Sequence, residues 1–185
     1  MFHGFHCLIE CGKTFSIDFF TDDIVVERFH DIVIESRRLY ASHVYFGMSA
    51  YFKRTTYAGF AKWMELQAKE EMTHAMKIYD YMCERDMPFT SDVIKKPAKD
   101  VYDGPLDAFK VALEHEQTVT AQVTKIFEEA NDKKDWVTAD LMNWFMKEQV
   151  EEEHSVQKFI RALVYAGNDK NLLIAVSDWA GKRAE

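Results

Sequence analysis

The stretch Ala68–Met76, AKEEMTHAM, places a carboxylate and an imidazole on one face of a helix, because Glu71 and His74 are three residues apart. Apolar residues continue this face in both directions at the three- and four-residue spacing of a helix that packs against a partner. They are Phe60, Met64, Ile78 and Tyr81. An isolated carboxylate or imidazole in a bundle interior is costly to desolvate. Glu71 and His74 therefore need each other, further charged groups or a cation.

The composition indicates one helical domain. The chain has 185 residues, of which 48% are hydrophobic, and this is enough for a sizeable core. Only three prolines and seven glycines interrupt long stretches with a helical period, which predicts an all-α fold. The net charge of −8 repels phosphate backbones and anionic lipids but favours cations, so we expect no nucleic-acid or membrane partner.

The N-terminal segment differs from the rest of the chain. Residues 1–20 are rich in aromatic residues and have no helical period, so we interpret them as an extension to a domain spanning residues 21–185. Glu10, Lys13 and Asp18 break the apolar run that a signal peptide needs. The three cysteines form neither an even disulfide framework nor a C-x-x-C pair. A reducing compartment, the cytoplasm, is the expected location.

Periodicity, caps and breaks predict four long helices and a short fifth one. We expect them from just after Asp23 to about Phe52, from Ala58 to Glu84, from Pro105 to the turn at Asn131–Lys134, from that turn to Ala166, and from Asn171 to Ala180. Short connections predict two antiparallel hairpins. The irregular segment Asp86–Gly104 between them is long enough to cross the length of a bundle. The short last helix must pack against something, because it has no core of its own.

Each long helix carries charged or polar residues at one level of its apolar stripe. These are Arg38 and Tyr45 on the first helix, Glu71 and His74 on the second, Glu116 on the third, and Glu148, Gln149 and Glu152 on the fourth. Four-helix bundles that bind two iron or manganese ions use inward carboxylates together with histidines from E-x-x-H motifs. Such oxygen and nitrogen ligands suit iron, manganese or zinc. The pattern predicts a metal centre inside the bundle.

The fourth helix contains a second E-x-x-H motif, Glu151 to His154, whose helical phase differs. Its predicted inward stripe is Val137, Leu141, Trp144, Glu148, Glu152, Val156, Phe159 and Leu163. His154 follows Glu152 by two residues, roughly 200° of helical rotation, so we expect it to face outward. Glu70 with Glu148 and Glu151 forms a candidate site for a further hard cation, since clustered carboxylates repel one another unless neutralised.

From about Asp23 to Trp179 the chain resembles a ferritin of the non-haem prokaryotic type. The motifs that carry the resemblance are Leu39–Ser42 with Tyr45, Met48–Ala50, Gly59–Met64, Gln67–Met76, Glu114–Glu116 and Asn143–Glu153. The resemblance implies a ferritin-like four-helix bundle with one long crossover and a short fifth C-terminal helix. It also implies a homo-oligomeric hollow shell of twenty-four subunits that oxidises iron(II) with dioxygen or peroxide and stores the ferric mineral inside.

The resemblance further implies roles for individual residues and two to three iron ions per subunit. Glu71 would bridge two irons, His74 would bind the first iron, and Glu116 with Glu152 would bind the second. Gln149 would line this site and Tyr45 would lie beside it. The residues that match the family's third-iron cluster are Glu70, Glu148, Glu151 and Glu152.

One position departs from the family pattern and leaves three functions open. Arg38 stands where the family has a glutamate that binds the first iron, and Glu35, one turn earlier, substitutes for it if Arg38 turns away. The leading hypothesis is an active ferroxidase. The second is a cage subunit whose centre is impaired because Arg38 pairs with Glu71, and which acts in mineral nucleation or mixed assembly. The third is a haem-binding bacterioferritin in which Met72 is the haem ligand.

Overall fold

The computed structural model describes residues 34–87 and 94–183, with side chains from Arg38 onward. In this part the chain forms five helices and no strand: α1 (Ile34–Phe52), α2 (Ala58–Glu84), α3 (Pro105–Asp132), α4 (Trp136–Ala166) and α5 (Lys170–Ala180). The predicted all-α fold is confirmed. The N-terminal extension, the predicted start of the first helix after Asp23 and the side chain of Glu35 lie outside the described residues. Among the described residues, no helix has the length and hydropathy that a membrane span requires.

The four long helices form two hairpins, α1 with α2 and α3 with α4. Their core divides into two clusters. The first joins the end of α1 to the starts of α2 and α3 and the end of α4, and it includes Phe52, Phe60, Phe109 and Phe159. The second joins the end of α2, the second half of α3 and the first half of α4, and it includes Ile78, Val123 and Met142. Both α2 and α3 therefore run from the first cluster to the second, and the connection between them crosses the bundle.

Large aromatic side chains fill the first cluster. Trp63 is 2% exposed, and its ring packs at 5.3 Å from the rings of Phe109 and of Phe159. Each such side chain contributes about 1.5–3 kcal/mol by leaving water. On α2 the first cluster ends at Ala68 and the second begins at Ile78. The intervening segment, which holds Glu71 and His74, therefore lies between two apolar layers that exclude water from it.

The short helix α5 packs on α2 and α4 of the same chain. Asp169 caps its first turn by accepting hydrogen bonds from the backbone amides of Asn171 and Leu172. Its end is fixed by the Ser177 hydroxyl, which accepts a hydrogen bond of 3.2 Å from the Phe60 backbone amide. The last helix, for which the sequence predicted a packing partner here or in another subunit, finds one within its own chain.

The predicted stripe of the fourth helix was wrong in its first half. Val137 is 60% exposed, and the buried positions are Met142 and Phe145 instead of Leu141 and Trp144. The phase follows from the start of α4, where the Asp135 side chain accepts a hydrogen bond from the Thr138 backbone amide. Thr138 is buried, and its hydroxyl is hydrogen-bonded to that of Tyr81. This anchoring turns the inward face of α4 by one residue from the predicted phase.

Candidate metal centre

Arg38 lies inside the bundle and binds two other helices. From α1, its Nη1 atom lies 3.0 and 2.9 Å from the two carboxylate oxygens of Glu71 on α2. Its Nη2 atom donates to Oε1 of Gln149 on α4 at 3.0 Å. The guanidinium also packs over the Phe145 ring at 5.1 Å, and the whole residue is 1% exposed. Because a guanidinium does not lose its proton in proteins, a fixed positive charge lies at this end of the site.

Glu116 is the residue that α3 contributes to the centre, and its hydrogen bonds connect α1 with α4. One of its carboxylate oxygens accepts a hydrogen bond from the Tyr45 hydroxyl. The other accepts one of 3.0 Å from the Gln149 side-chain amide, which also lies 3.3 Å from the Glu116 backbone carbonyl. Gln149 thus accepts from Arg38 with its oxygen and donates to Glu116 with its nitrogen. The four long helices meet at this network.

A second group of side chains extends from this network along α2 and α4. Glu152 on α4 accepts a 2.5 Å hydrogen bond from the Gln67 side-chain amide. The Gln67 oxygen in turn accepts from Arg183, which lies just beyond the end of α5. Arg183 also donates from Nη2 to Oε2 of Glu70 at 2.5 Å. Glu70 is partly exposed, so this side of the centre is its more accessible side.

His74 has the surroundings of a metal ligand. Its Nδ1 atom is buried, lies 3.8 Å from Glu71 and has no hydrogen-bond partner among the described residues. Its Nε2 atom lies 3.9 Å from a carboxylate oxygen of Glu148. Ligand atoms of Glu70, His74 and Glu152 all lie within 4.8 Å of one another. We call these three residues the inner cluster; two carboxylates and an imidazole suit iron, manganese or zinc.

The carboxylates of the centre differ in their affinity for protons. Burial, reinforced by the nearby charge of Glu71, raises the pKa of Glu116 to about 7. Burial together with the charges of Glu116, Glu70 and Glu71 raises the pKa of Glu152 to about 9. Burial acts in the same direction on Glu71, but the Arg38 charge, helped by His74, outweighs it and lowers the pKa of Glu71.

These shifts describe an acidic site that is only partly neutralised. Arg38 offsets the charge of Glu71, whereas burial and the neighbouring carboxylates raise the affinity of Glu116 and Glu152 for protons. Burial, followed by the charges of Glu116 and Glu152, also raises the pKa of Tyr45 well above its ordinary value, so this hydroxyl remains a hydrogen-bond donor. A metal ion that enters the site takes over the role of those protons.

The structure brings most of the predicted site residues together. Tyr45, Glu71, Glu116 and Gln149 join the network around Arg38, while Glu70, His74 and Glu152 form the inner cluster. Glu148 lies at the edge beside His74. Glu151 is exposed, and its part in a cation site stays a prediction. His154 is exposed, in agreement with its helical phase. Met72 is 42% exposed on α2.

Sequence reasoning assigned no role in the site to Gln67 or Arg183. Gln67 lies one turn before Glu70 and Glu71 on the inward face of α2, and this position was the available signal. Arg183 follows a helix whose placement the sequence did not determine. No pattern in the chain relates it to the centre.

Comparisons with known proteins agree with this architecture. A family model described as "Ferritin-like domain" matches residues 36–164. A bacterial non-heme ferritin of Staphylococcus epidermidis is 39% identical over 138 residues, covering 75% of this chain and 82% of that protein. A bacterial non-heme ferritin of Staphylococcus aureus is 37% identical over 144 residues, covering 78% and 86%. An open pore ferritin from Archaeoglobus fulgidus superimposes with a TM-score of 0.84 at 31% identity, covering 89% of this chain and all of that one.

Proposed function

This chain belongs to the ferritin family, and on that premise we propose that it stores iron in the cytoplasm as a ferric mineral inside a hollow homo-oligomeric shell of twenty-four subunits. The observation that supports this most directly is the inner cluster, with its buried His74 nitrogen that has no hydrogen-bond partner. The two staphylococcal relatives, which match this chain over most of their length, are named as non-heme ferritins, and this supports iron storage.

We further propose that the centre oxidises its substrate, iron(II). Each iron(II) gives up one electron to dioxygen or peroxide, and carboxylate ligands favour the more highly charged ferric product. Glu71, His74, Glu116 and Glu152 are the proposed ligands, and Gln149 and Tyr45 orient Glu116 by their hydrogen bonds to it. Glu116 and Glu152 release their protons when iron binds, and the site thereby exchanges protons for metal charge.

The contact between Arg38 and Glu71 favours a second candidate function, a cage subunit with an impaired centre. The guanidinium occupies both oxygens of the carboxylate proposed to bridge the two irons. We therefore propose slow oxidation in which the Glu116–Glu152 position fills first. In the extreme case the subunit only nucleates mineral or joins a mixed shell. The haem-binding alternative has no support beyond the position of Met72.

Aerobic iron loading of the purified chain tests the storage function. Light scattering should show a very large closed oligomer, and electron microscopy should show electron-dense cores after iron(II) is added. A monomer or simple dimer that forms no core would overturn the proposal. The variant Glu116→Ala should still assemble but load more slowly, whereas His154→Ala, changed at an exposed position, serves as the matched control.

Anomalous scattering from iron-soaked crystals separates the two candidate functions. An active centre of the usual kind gives iron on both sides of Glu71. An impaired centre gives iron next to Glu116 and Glu152 but none where the Arg38 guanidinium lies.

A further inference from the structure

Arg183 makes two direct contacts at the inner cluster, one with its member Glu70 and one with the neighbouring Gln67. Its Nη2 atom donates to Glu70 at 2.5 Å, and its Nη1 atom donates to the oxygen of Gln67. Gln67 in turn donates to Glu152. A single guanidinium therefore holds one member of the inner cluster directly and a second one through an amide.

The position of Arg183 is determined by how closely α5 approaches α2. A Cβ atom on Gly59 would lie 1.8 Å from the Ser177 carbonyl oxygen, and one on Gly181 would lie 2.9 Å from the Gly59 Cα atom. Both glycines are thus needed where the two backbones meet. The Trp179 ring packs at 5.1 Å from Phe159, and Ala180 is 1% exposed. Arg183 lies two residues after Gly181, and its guanidinium lies 5.9 Å from the centre of the Trp63 ring.

We propose that Arg183 is a positioning residue that competes with iron for the inner cluster, so that the end of α5 controls how readily a metal ion enters there. The inference rests on the proposed iron-handling function of the cluster. It concerns a residue outside the four-helix bundle to which no motif assigned a role.

The competition follows from the chemistry of the two cations. A metal ion and a guanidinium both bind through the lone pairs of carboxylate oxygens, and the Arg183 charge is permanent. Iron that binds Glu70 must displace Arg183 and lose the charge-assisted hydrogen bond. The Arg183 side chain is 34% exposed, so it has room to move into solvent when it is displaced. The buried Arg38 lacks this freedom, with a side chain only 2% exposed.

Terbium(III) is a suitable probe, because it is a hard cation with oxygen ligands and its luminescence is sensitised by nearby tryptophan. The Trp144 ring lies 5.7 Å from the His74 ring. We expect Arg183→Gln in the full-length assembled protein to bind terbium at this cluster about tenfold more tightly, the equivalent of one charge-assisted contact. Arg183→Lys, which keeps the charge, should restore most of the original affinity. Lys182→Gln removes a neighbouring charge and should leave the affinity unchanged.

A double-mutant cycle with Glu70→Gln shows whether the contact itself is responsible. In the Glu70→Gln background, Arg183→Gln should have a much smaller effect on terbium affinity, because only the contact of Arg183 with Gln67 remains. An equal gain in both backgrounds would mean that Arg183 acts only through its long-range charge, and unchanged or weaker binding in Arg183→Gln would mean that it supports the cluster. Either result overturns the proposal. Neither depends on iron storage, because the readout is terbium binding.

Discussion

Arg38 and Glu71 form a buried ion pair in which one guanidinium nitrogen lies within hydrogen-bond distance of both carboxylate oxygens. Removing one partner of such a pair leaves an uncompensated charge in a water-poor interior, which is strongly destabilising. The pair therefore supports the metal-free bundle at the position where the resemblance implies an iron ligand. At Arg38, the stability of the metal-free bundle and the proposed binding of a first iron therefore oppose each other.

Replacing Arg38 with glutamate should reverse this balance. Arg38→Glu supplies the carboxylate that the family pattern has and removes the competing cation. We expect the initial rate of iron(II) oxidation to rise on the order of tenfold, which corresponds to about 1.4 kcal/mol. Stopped-flow absorbance of the ferric product at equal iron loading measures this rate.

Arg38→Gln is the control for this experiment, since it removes the cation without adding a ligand. It should give a rate between those of the unchanged chain and Arg38→Glu. If the unchanged chain oxidises iron at least as fast as Arg38→Glu, the guanidinium turns out of the site when iron arrives. Glu35 or water must then complete the coordination of the first iron.

The inward and outward faces of α4 should respond differently when a side chain is replaced by alanine. Glu152 is buried in the centre and His154 is exposed. We expect Glu152→Ala to weaken iron binding at the second position at least about tenfold, since loss of even an outer-shell partner of a metal ligand costs about 10–100-fold. His154→Ala should leave binding nearly unchanged. Equilibrium dialysis of iron(II) under anaerobic conditions compares the two, and loss of binding in His154→Ala would show that the helical phase is misread.

The raised pKa values of Glu116 and Glu152 predict how the metal-free chain responds to pH. Burial and the neighbouring carboxylates raise the pKa of Glu116 to about 7 and the pKa of Glu152 to about 9, above the ordinary value of 4.5. Between these pH values the folded chain therefore keeps protons that the unfolded chain loses. The stabilising effect of these protons is complete below about pH 4.5 and is lost as the pH rises through 7 and 9. Thermal unfolding of the metal-free protein should therefore show a melting temperature that falls over this range.

A bound cation should reverse this trend, since it favours the deprotonated carboxylates. Glu152→Gln should flatten the pH dependence, while Glu151→Gln, changed at the exposed neighbouring position, should not. A melting temperature that rises with pH in the metal-free chain would contradict the assignment of protons to Glu116 and Glu152.

Much of the fold follows from local signals in the sequence. The bounds of α2 and the start of α3 at Pro105 agree with prediction, because a short connection and a proline mark them. Glu71, His74 and Glu116 were placed correctly on inward faces, since each stands in phase with apolar residues before and after it on its helix. Helical periodicity determines which residues of one helix share a face, and the centre is built from such faces.

What the sequence left open depends on contacts between elements. The first half of α4 has apolar residues on more than one face, and its phase is selected by the bond between Thr138 and Tyr81 of another helix. Whether the Arg38 side chain contacts Glu71 or solvent depends on how three helices pack together. Arg183 reaches the centre only because α5 folds back onto α2, and a helical period carries no information about that docking.

The close approach of α5 to α2 gives a last prediction, for which the chain offers its own control. A Cβ atom at Gly59 meets the Ser177 carbonyl at 1.8 Å, whereas one at Gly47 in α1 meets nothing within 4 Å. Gly59→Ala must push two backbones apart, at a cost of about 1–3 kcal/mol. Gly47→Ala favours the helix by about 0.5–1 kcal/mol. We expect the melting temperature to fall by several degrees in the first variant and to hold or rise in the second. Equal melting temperatures would mean that α5 does not rest on α2 in solution.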